Sequence, residues 1–158
     1  MADYAPPLDR LIQQLKFNQK LHLARLLGTL MARDIRQQAL TLPDLLLPVP
    51  LHKQRLQQRG YNQALEIARI LARALNVKLD LHCCVRHKAT REQTGLPAQQ
   101  RKTNLQGAFQ VRRDVQGKHI AIVDDVMTTG STVTELSKAL LQQGAKRIDV
   151  WVCARANV

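Results

Sequence analysis

Apolar residues recur along this chain with two periods. Leu8, Leu11, Ile12 and Leu15 follow Pro6-Pro7 on one helical face, and Leu23, Leu26, Leu27, Leu30 and Met31 mark a second amphipathic helix reaching about Gln38. A further helix is predicted from about Asn62 to Leu75, with Leu65, Ala68, Leu71, Ala72 and Leu75 inward. Asp44 to Val49 reads as the first core strand and Asp80 to Val85 as the second. Ala108 to Val111 and His119 to Val123 read as strands joined across Asp114 to Gly117, and Arg147 to Cys153 alternates and closes the sheet. Residues 87–104 show no period and are rich in Gln, Lys, Arg and Thr, which suits a lid or an unstructured segment. Strands separated by helices predict parallel pairing with right-handed crossovers. The expectation is one α/β domain over residues 1–158, with N-terminal helices over 1–40 and the core over 44–155.

One stretch carries the chemistry. Ile120 to Val123 is an apolar run suited to a strand covered on both faces, and Asp124 and Asp125 stand where that run stops. Ligands of open α/β sheets bind at this carboxyl end. Two neighbouring carboxylates accept hydrogen bonds from the paired hydroxyls of a ribose. Thr128, Thr129, Gly130, Ser131 and Thr132 then offer successive backbone N–H groups leading into a helix, a nest for a phosphate. Ser131 or Thr132 is expected to cap that helix, Glu135 to lie in its first turn, and Gly144 to end it. Taken apart, an Asp-Asp pair also suits a magnesium site, and Thr-Gly-Ser suits an ordinary turn. Joined at this spacing, they describe a sugar-phosphate pocket.

Composition adds three constraints. Aromatic residues are 3 % of the chain, so the core has to be aliphatic and few rings are present on which bases could stack. No stretch approaches the ~20 apolar residues of a membrane span, and Pro6, Pro7, Asp9 and Arg10 break up any apolar signal core, so a cytoplasmic protein is expected. Cys83, Cys84 and Cys153 show no Cys-x-x-Cys spacing and read as buried reduced thiols, not zinc ligands. His22, His82, His87 and His119 have no partner in sight and read as structural.

The formal charge of +12 is local: residues 51–113 hold thirteen Lys or Arg against Glu66, Asp80 and Glu92. A concentrated positive field favours a polyanion. Arg69 and Arg73 are spaced as a solvated helix face, whereas Lys53, Arg55 and Arg59 follow a strand in what reads as a loop.

Ile120 to Thr132 resembles the signature of type I phosphoribosyltransferases, which bind 5-phosphoribosyl-1-pyrophosphate (PRPP). Two further stretches resemble the ComF/GntX family of competence-related proteins. One is Pro48-Val49-Pro50-Leu51-His52-Lys53 leading to Arg59-Gly60-Tyr61-Asn62-Gln63; the other is Arg86 to Thr90, Gln93, Arg101-Lys102-Thr103-Asn104-Leu105 and Ala108-Phe109. The likeness runs from about Tyr4 to Arg155.

It implies the type I phosphoribosyltransferase fold, a mostly parallel twisted sheet flanked by helices. It also implies transfer of ribose 5-phosphate from PRPP to an acceptor, with loss of pyrophosphate and Mg²⁺ held through PRPP and not by direct protein ligands. Asp124 and Asp125 would serve the ribose hydroxyls and residues 128–132 the 5-phosphate. Leu51, His52, Lys53, Arg55 and Arg59 would serve the pyrophosphate. Arg86, Lys88, Arg101 and Lys102 would belong to a flexible covering loop. The family's cysteine-rich zinc module has no counterpart in these residues. The resemblance further implies a link to DNA uptake or to DNA as a nutrient, and a homodimer or a partnership with DNA-uptake proteins. A non-catalytic nucleotide- or single-stranded-DNA-binding accessory protein is the other reading.

Overall fold

The computed structural model describes residues 2–18, 20–88 and 105–156. The described strands are β1 (Ala2–Asp3), β2 (Leu45–Pro48), β3 (Lys78–Leu79), β4 (Cys84–Arg86), β5 (Phe109–Val111), β6 (His119–Met127) and β7 (Arg147–Arg155). The helices are α1 (Leu8–Phe17), α2 (His22–Gln37), α3 (Lys53–Arg59), α4 (Gln63–Leu75) and α5 (Ser131–Gln142). Five strands form a parallel sheet in the order β1-β7-β6-β2-β3, while β4 and β5 make a separate antiparallel pair. This is the type I phosphoribosyltransferase architecture.

Both faces of the sheet are covered, which is why its central strands read as unbroken apolar runs. Leu46, Ala121 and Val123 face a core built with α1, α2 and α4 through Ile12, Leu15, Leu27, Ile67 and Leu71. Leu45, Leu47, Ile120 and Ile122 face the opposite core, completed by Leu136 and Leu140 of α5 and by Phe109. The chain moves outward from β2 to β3, then returns to place β6 and β7 on the other side of β2. The switch point therefore lies between β2 and β6, where such sheets bind ligands. No helix of the described residues is long and apolar enough to cross a membrane.

The structure corrects four expectations. Asp80 to Val85 is not one strand of the main sheet: pairing with β2 ends at Leu79, the buried Asp80 accepts from the N–H groups of His82 and Cys83, both at 2.9 Å, and strand structure resumes only at Cys84, in β4. A carboxylate that binds its own backbone two residues on competes with the ladder and turns the chain. Ala108 to Val111 is a strand from Phe109, as expected, but it lies outside the main sheet: β5 pairs with β4, with Arg86 opposite Phe109. β7 does not close the sheet, because Ala2 and Asp3 pair beyond it with Ala154 and Arg155. Residues 51–59 are not all loop, since α3 begins at Lys53. The expected lid falls, from residue 89 to 104, outside the described residues.

Candidate functional site

β6 runs to Met127, further than its apolar stretch suggests. It stays paired with β7 to Arg155, but its pairing with β2 stops at Val123. Asp124 and Asp125 thus lie inside the strand, at the point where it loses one neighbour. Successive strand residues point to opposite faces. Asp125, 6 % exposed, follows Val123 toward the α1 side, where Lys16 Nζ meets its Oδ2 at 3.0 Å. Asp124 is half-buried, and its Oδ1 accepts the N–H of Asp125 at 2.9 Å. Burial, and then the neighbouring Asp125 charge, push the Asp124 carboxyl up to about 7.

The following loop is shaped by Gly130, the N-cap of α5 at φ 72° and ψ 0°. This is the left-handed region that glycine enters without cost. Neither Ser131 nor Thr132 caps the helix, contrary to expectation; α5 starts at Ser131 and has no side-chain cap bond. The Gly130 cap offers no side-chain acceptor, and the Ser131 N–H makes only a long bond, 3.4 Å, to Thr129 Oγ1, an arrangement that suits an anion. Thr129 Oγ1 lies 2.8 Å from Ser131 Oγ and braces the loop. Glu135 falls beyond the first turn and accepts the N–H of Gly107 at 2.8 Å. Gly144 does end the helix, at φ 87°.

These parts line one cavity of about 530 Å³. Thr128 to Thr132 form one side, Asp124 and Asp125 the floor, and Leu51, Arg55, Arg59 and Arg86 another side. α3 explains which basic residues arrive. His52 caps it, Nδ1 accepting the N–H of Gln54 at 3.3 Å, and Gly60 ends it at φ 78°. Arg55 and Arg59, four residues apart, share the face toward the cavity. His52 and Lys53 instead line a neighbouring cavity of about 480 Å³ with Pro50 and Leu56. Arg59 stacks over Phe17 at 5.5 Å, and Arg86 over Phe109 at 5.8 Å. Burial and the nearby Arg55 both lower the Arg86 pKa, while Asp124 opposes them. Guanidinium groups lining one space suit an anion that bridges them. Lys88 is exposed and lines neither cavity, and Arg101 and Lys102 lie outside the described residues.

Sequence reasoning missed the N-terminal wall. Tyr4, Gln13, Lys16 and Phe17 all line the cavity, whereas the stripe read in this segment, Leu8, Leu11, Ile12 and Leu15, signalled only packing. It also missed Gln63, which is 3 % exposed and whose Nε2 has no hydrogen-bond partner among the described residues. Leaving a buried donor unmet costs about 1–3 kcal/mol. Near-isosteric Gln63→Met is therefore expected to raise the thermal midpoint by about 2–4 °C; a melting curve shifted downward would contradict this. Asn62 does start its helix, as expected: its Oδ1 accepts from Leu65 at 3.4 Å and its Nδ2 donates to the Val49 carbonyl at 3.0 Å. His119 does have a carboxylate partner, Asp149 at 2.9 Å, thirty residues away across β6 and β7. The three cysteines are free and buried, and burial pushes all their thiols up, Cys153 to about 12.

Comparison with known proteins agrees with this fold. Residues 62–158 match the family described as Phosphoribosyl transferase domain. The chain is 43 % identical over 159 residues to the DNA utilization protein YhgH of Escherichia coli strain K12, covering 98 % of this chain and 70 % of that protein. It is 40 % identical over 163 residues to Competence protein F of Haemophilus influenzae, covering 99 % and 71 %. Among solved structures, glutamine PRPP amidotransferase from B. subtilis superposes with a TM-score of 0.55 at 20 % identity, over 82 % of this chain and only 26 % of that one. Purine phosphoribosyltransferase from Pyrococcus horikoshii gives a TM-score of 0.50 at 18 % identity, over 84 % and 72 %. The solved structures speak to fold alone. With its relatives and its matched domain, the chain belongs to the phosphoribosyltransferase-like proteins of the ComF family.

Proposed function

We infer that the cavity binds PRPP with Mg²⁺ and that the protein transfers the phosphoribosyl group to an acceptor, in the service of DNA uptake or of DNA used as a nutrient. One observation carries this reading: a helix start with a glycine N-cap, a carboxylate pair and several guanidinium groups line a single cavity of about 530 Å³. Backbone N–H groups of residues 128–132 take the 5-phosphate. Asp124 and Asp125 accept hydrogen bonds from the ribose hydroxyls. Arg55, Arg59 and Arg86 take the pyrophosphate and stabilise the charge that develops on it as it leaves. The names of the relatives, DNA utilization protein and Competence protein F, supply the physiological half of the reading.

Magnesium fits this donor set as a companion of the substrate. Among the described residues no group of three or more His, Cys, Asp or Glu converges as an ion cage. An ion that kept most of its waters and was chelated by the substrate's phosphate oxygens would need no protein cage. Bound in that way, it neutralises the leaving pyrophosphate.

Calorimetry tests the reading: Mg·PRPP is expected to bind the wild-type protein. Gly130→Ala, which forces an L side chain into the left-handed region, costs about 1–2 kcal/mol and is expected to weaken binding about tenfold. A protein that ignores PRPP yet binds single-stranded DNA with steep salt dependence would sink the transferase reading.

A further inference from the structure

Lys16 belongs to a helix whose neighbouring residues are explained by packing. Ile12 and Leu15 are fully buried against the sheet, and they fix the rotation of α1. Lys16 is one residue on, in the last turn, where a cation also complements the helix dipole. That rotation delivers its ammonium to Asp125, not to bulk water: the side chain is 22 % exposed and the carboxylate side chain 9 %. Asp125 is thereby largely engaged, with Oδ2 on Lys16 at 3.0 Å and Oδ1 accepting the N–H of Val126 at 2.7 Å.

A carboxylate so occupied can accept a further hydrogen bond from a neutral hydroxyl. It is poorly placed to take Mg²⁺ or Mn²⁺, which binds oxygen at about 2.0–2.1 Å and tolerates no ammonium on the same atom. The lysine also cancels one of two negative charges on the floor of a cavity that, on the reading above, receives a polyanion.

We propose that Lys16 is the positioning residue that sets the ion selectivity of this site: it holds Asp125 for hydroxyl donors, excludes free divalent cations from the carboxylate pair, and so admits the metal only as a chelate of the phosphorylated substrate. The part of this that concerns PRPP rests on the proposed function; the part that concerns the free ion does not.

The probe is Mn²⁺ alone, its free concentration read by electron paramagnetic resonance in titrations of the intact protein. Lys16→Met is expected to bind Mn²⁺ at least about tenfold more tightly than wild type, within the usual range of couplings between competing ligands. Lys16→Arg, which keeps the charge, is expected to match wild type. Lys20→Met is the control for net charge. Lys20 is exposed and contacts Gln14 Oε1 at 3.2 Å, not the carboxylates, so its loss is expected to change Mn²⁺ affinity less than about twofold. Circular dichroism establishes that each variant is folded, and Lys16→Gln replaces the methionine variant if that one is not.

The same Lys16→Met protein is expected to bind Mg·PRPP more weakly than wild type, so the two affinities move in opposite directions. Unchanged Mn²⁺ affinity in folded Lys16→Met, or an equal gain in Lys20→Met, overturns the proposal. If wild type shows no PRPP binding, the transferase reading fails, and the Mn²⁺ contrast still decides the role of the lysine.

Discussion

Asp124→Asn is expected to raise the thermal midpoint at pH 8 by about 4–8 °C and to weaken Mg·PRPP binding about 100-fold. The two effects share a cause. Burial and the Asp125 charge lift the Asp124 carboxyl from 3.8 to about 7, so the folded protein holds its proton more tightly than the unfolded chain does. Where the native state binds more protons, stability falls as pH rises. The loss therefore begins near pH 4, grows until about pH 7, and is fully present above that. A displacement of that size would correspond to about 4 kcal/mol for a group sealed from water. Asp124 is half-buried beside an open cavity, and solvent screening leaves about 2 kcal/mol, or about 2–4 °C for each.

Asparagine removes the charge but keeps an Oδ1 for the Asp125 N–H. The same exchange deprives a ribose hydroxyl of a charged acceptor, an interaction of about 1.5–3 kcal/mol. Melting curves at pH 4 and pH 8 check the first effect, with the gain confined to the higher pH. Calorimetry checks the second. A variant that is less stable at pH 8, or that binds as tightly as wild type, would show that Asp124 is a structural residue.

The same acid pair shows how far the sequence could be read. The order of strand, carboxylates, hydroxyl-rich turn and helix was legible because the whole device is local, within residues 120–144. Its partners were not, because they are brought in by tertiary packing. Lys16 reaches Asp125 from 109 positions away, delivered by the burial of Ile12 and Leu15, and no local pattern announces that. His119 and Asp149 meet for a similar reason, on the paired strands β6 and β7, where Asp149 stands opposite Ala121, two residues along from His119.

Other errors have local causes. α3 has one apolar residue in seven, Leu56, so no period marks it as a helix; its signals were the His52 cap and Gly60, neither of which was read as a helix boundary. β1 is two residues long and exists only because the edge of β7 accepts it. β6 outruns its apolar stretch because strand pairing with β7 continues through two carboxylates that a pocket, not a core, accommodates. Among the basic residues, the i, i+4 spacing of Arg55 and Arg59 could have been found had α3 been recognised. That step would have separated them from His52 and Lys53, which face the neighbouring cavity.

Gly28→Val is expected to cost about 3 kcal/mol or more and to lower the thermal midpoint by about 6–12 °C. Gly28 is buried in the middle of α2, against α4. A Cβ at this position would stand 2.7 Å from Ile70 Cβ, 3.0 Å from Ile70 Cγ2 and 3.2 Å from the Ile67 carbonyl oxygen. Two of these atoms sit at or beside the α4 backbone, so rotating a side chain cannot relieve the clash and the helices must separate. Glycine in a helix interior costs about 1 kcal/mol relative to alanine, a penalty that close packing of α2 on α4 offsets. Gly28→Ala recovers that propensity while meeting the same overlap, so it is expected to be destabilising by a smaller amount than valine. α4 begins at Asn62 and Gln63 on the cavity wall, so displacing it should also weaken Mg·PRPP binding. Thermal melts of the alanine and valine variants decide the matter. If Gly28→Ala gains stability, as it would at an open helical position, then α2 and α4 are not held at this distance and the wall they support is not rigid.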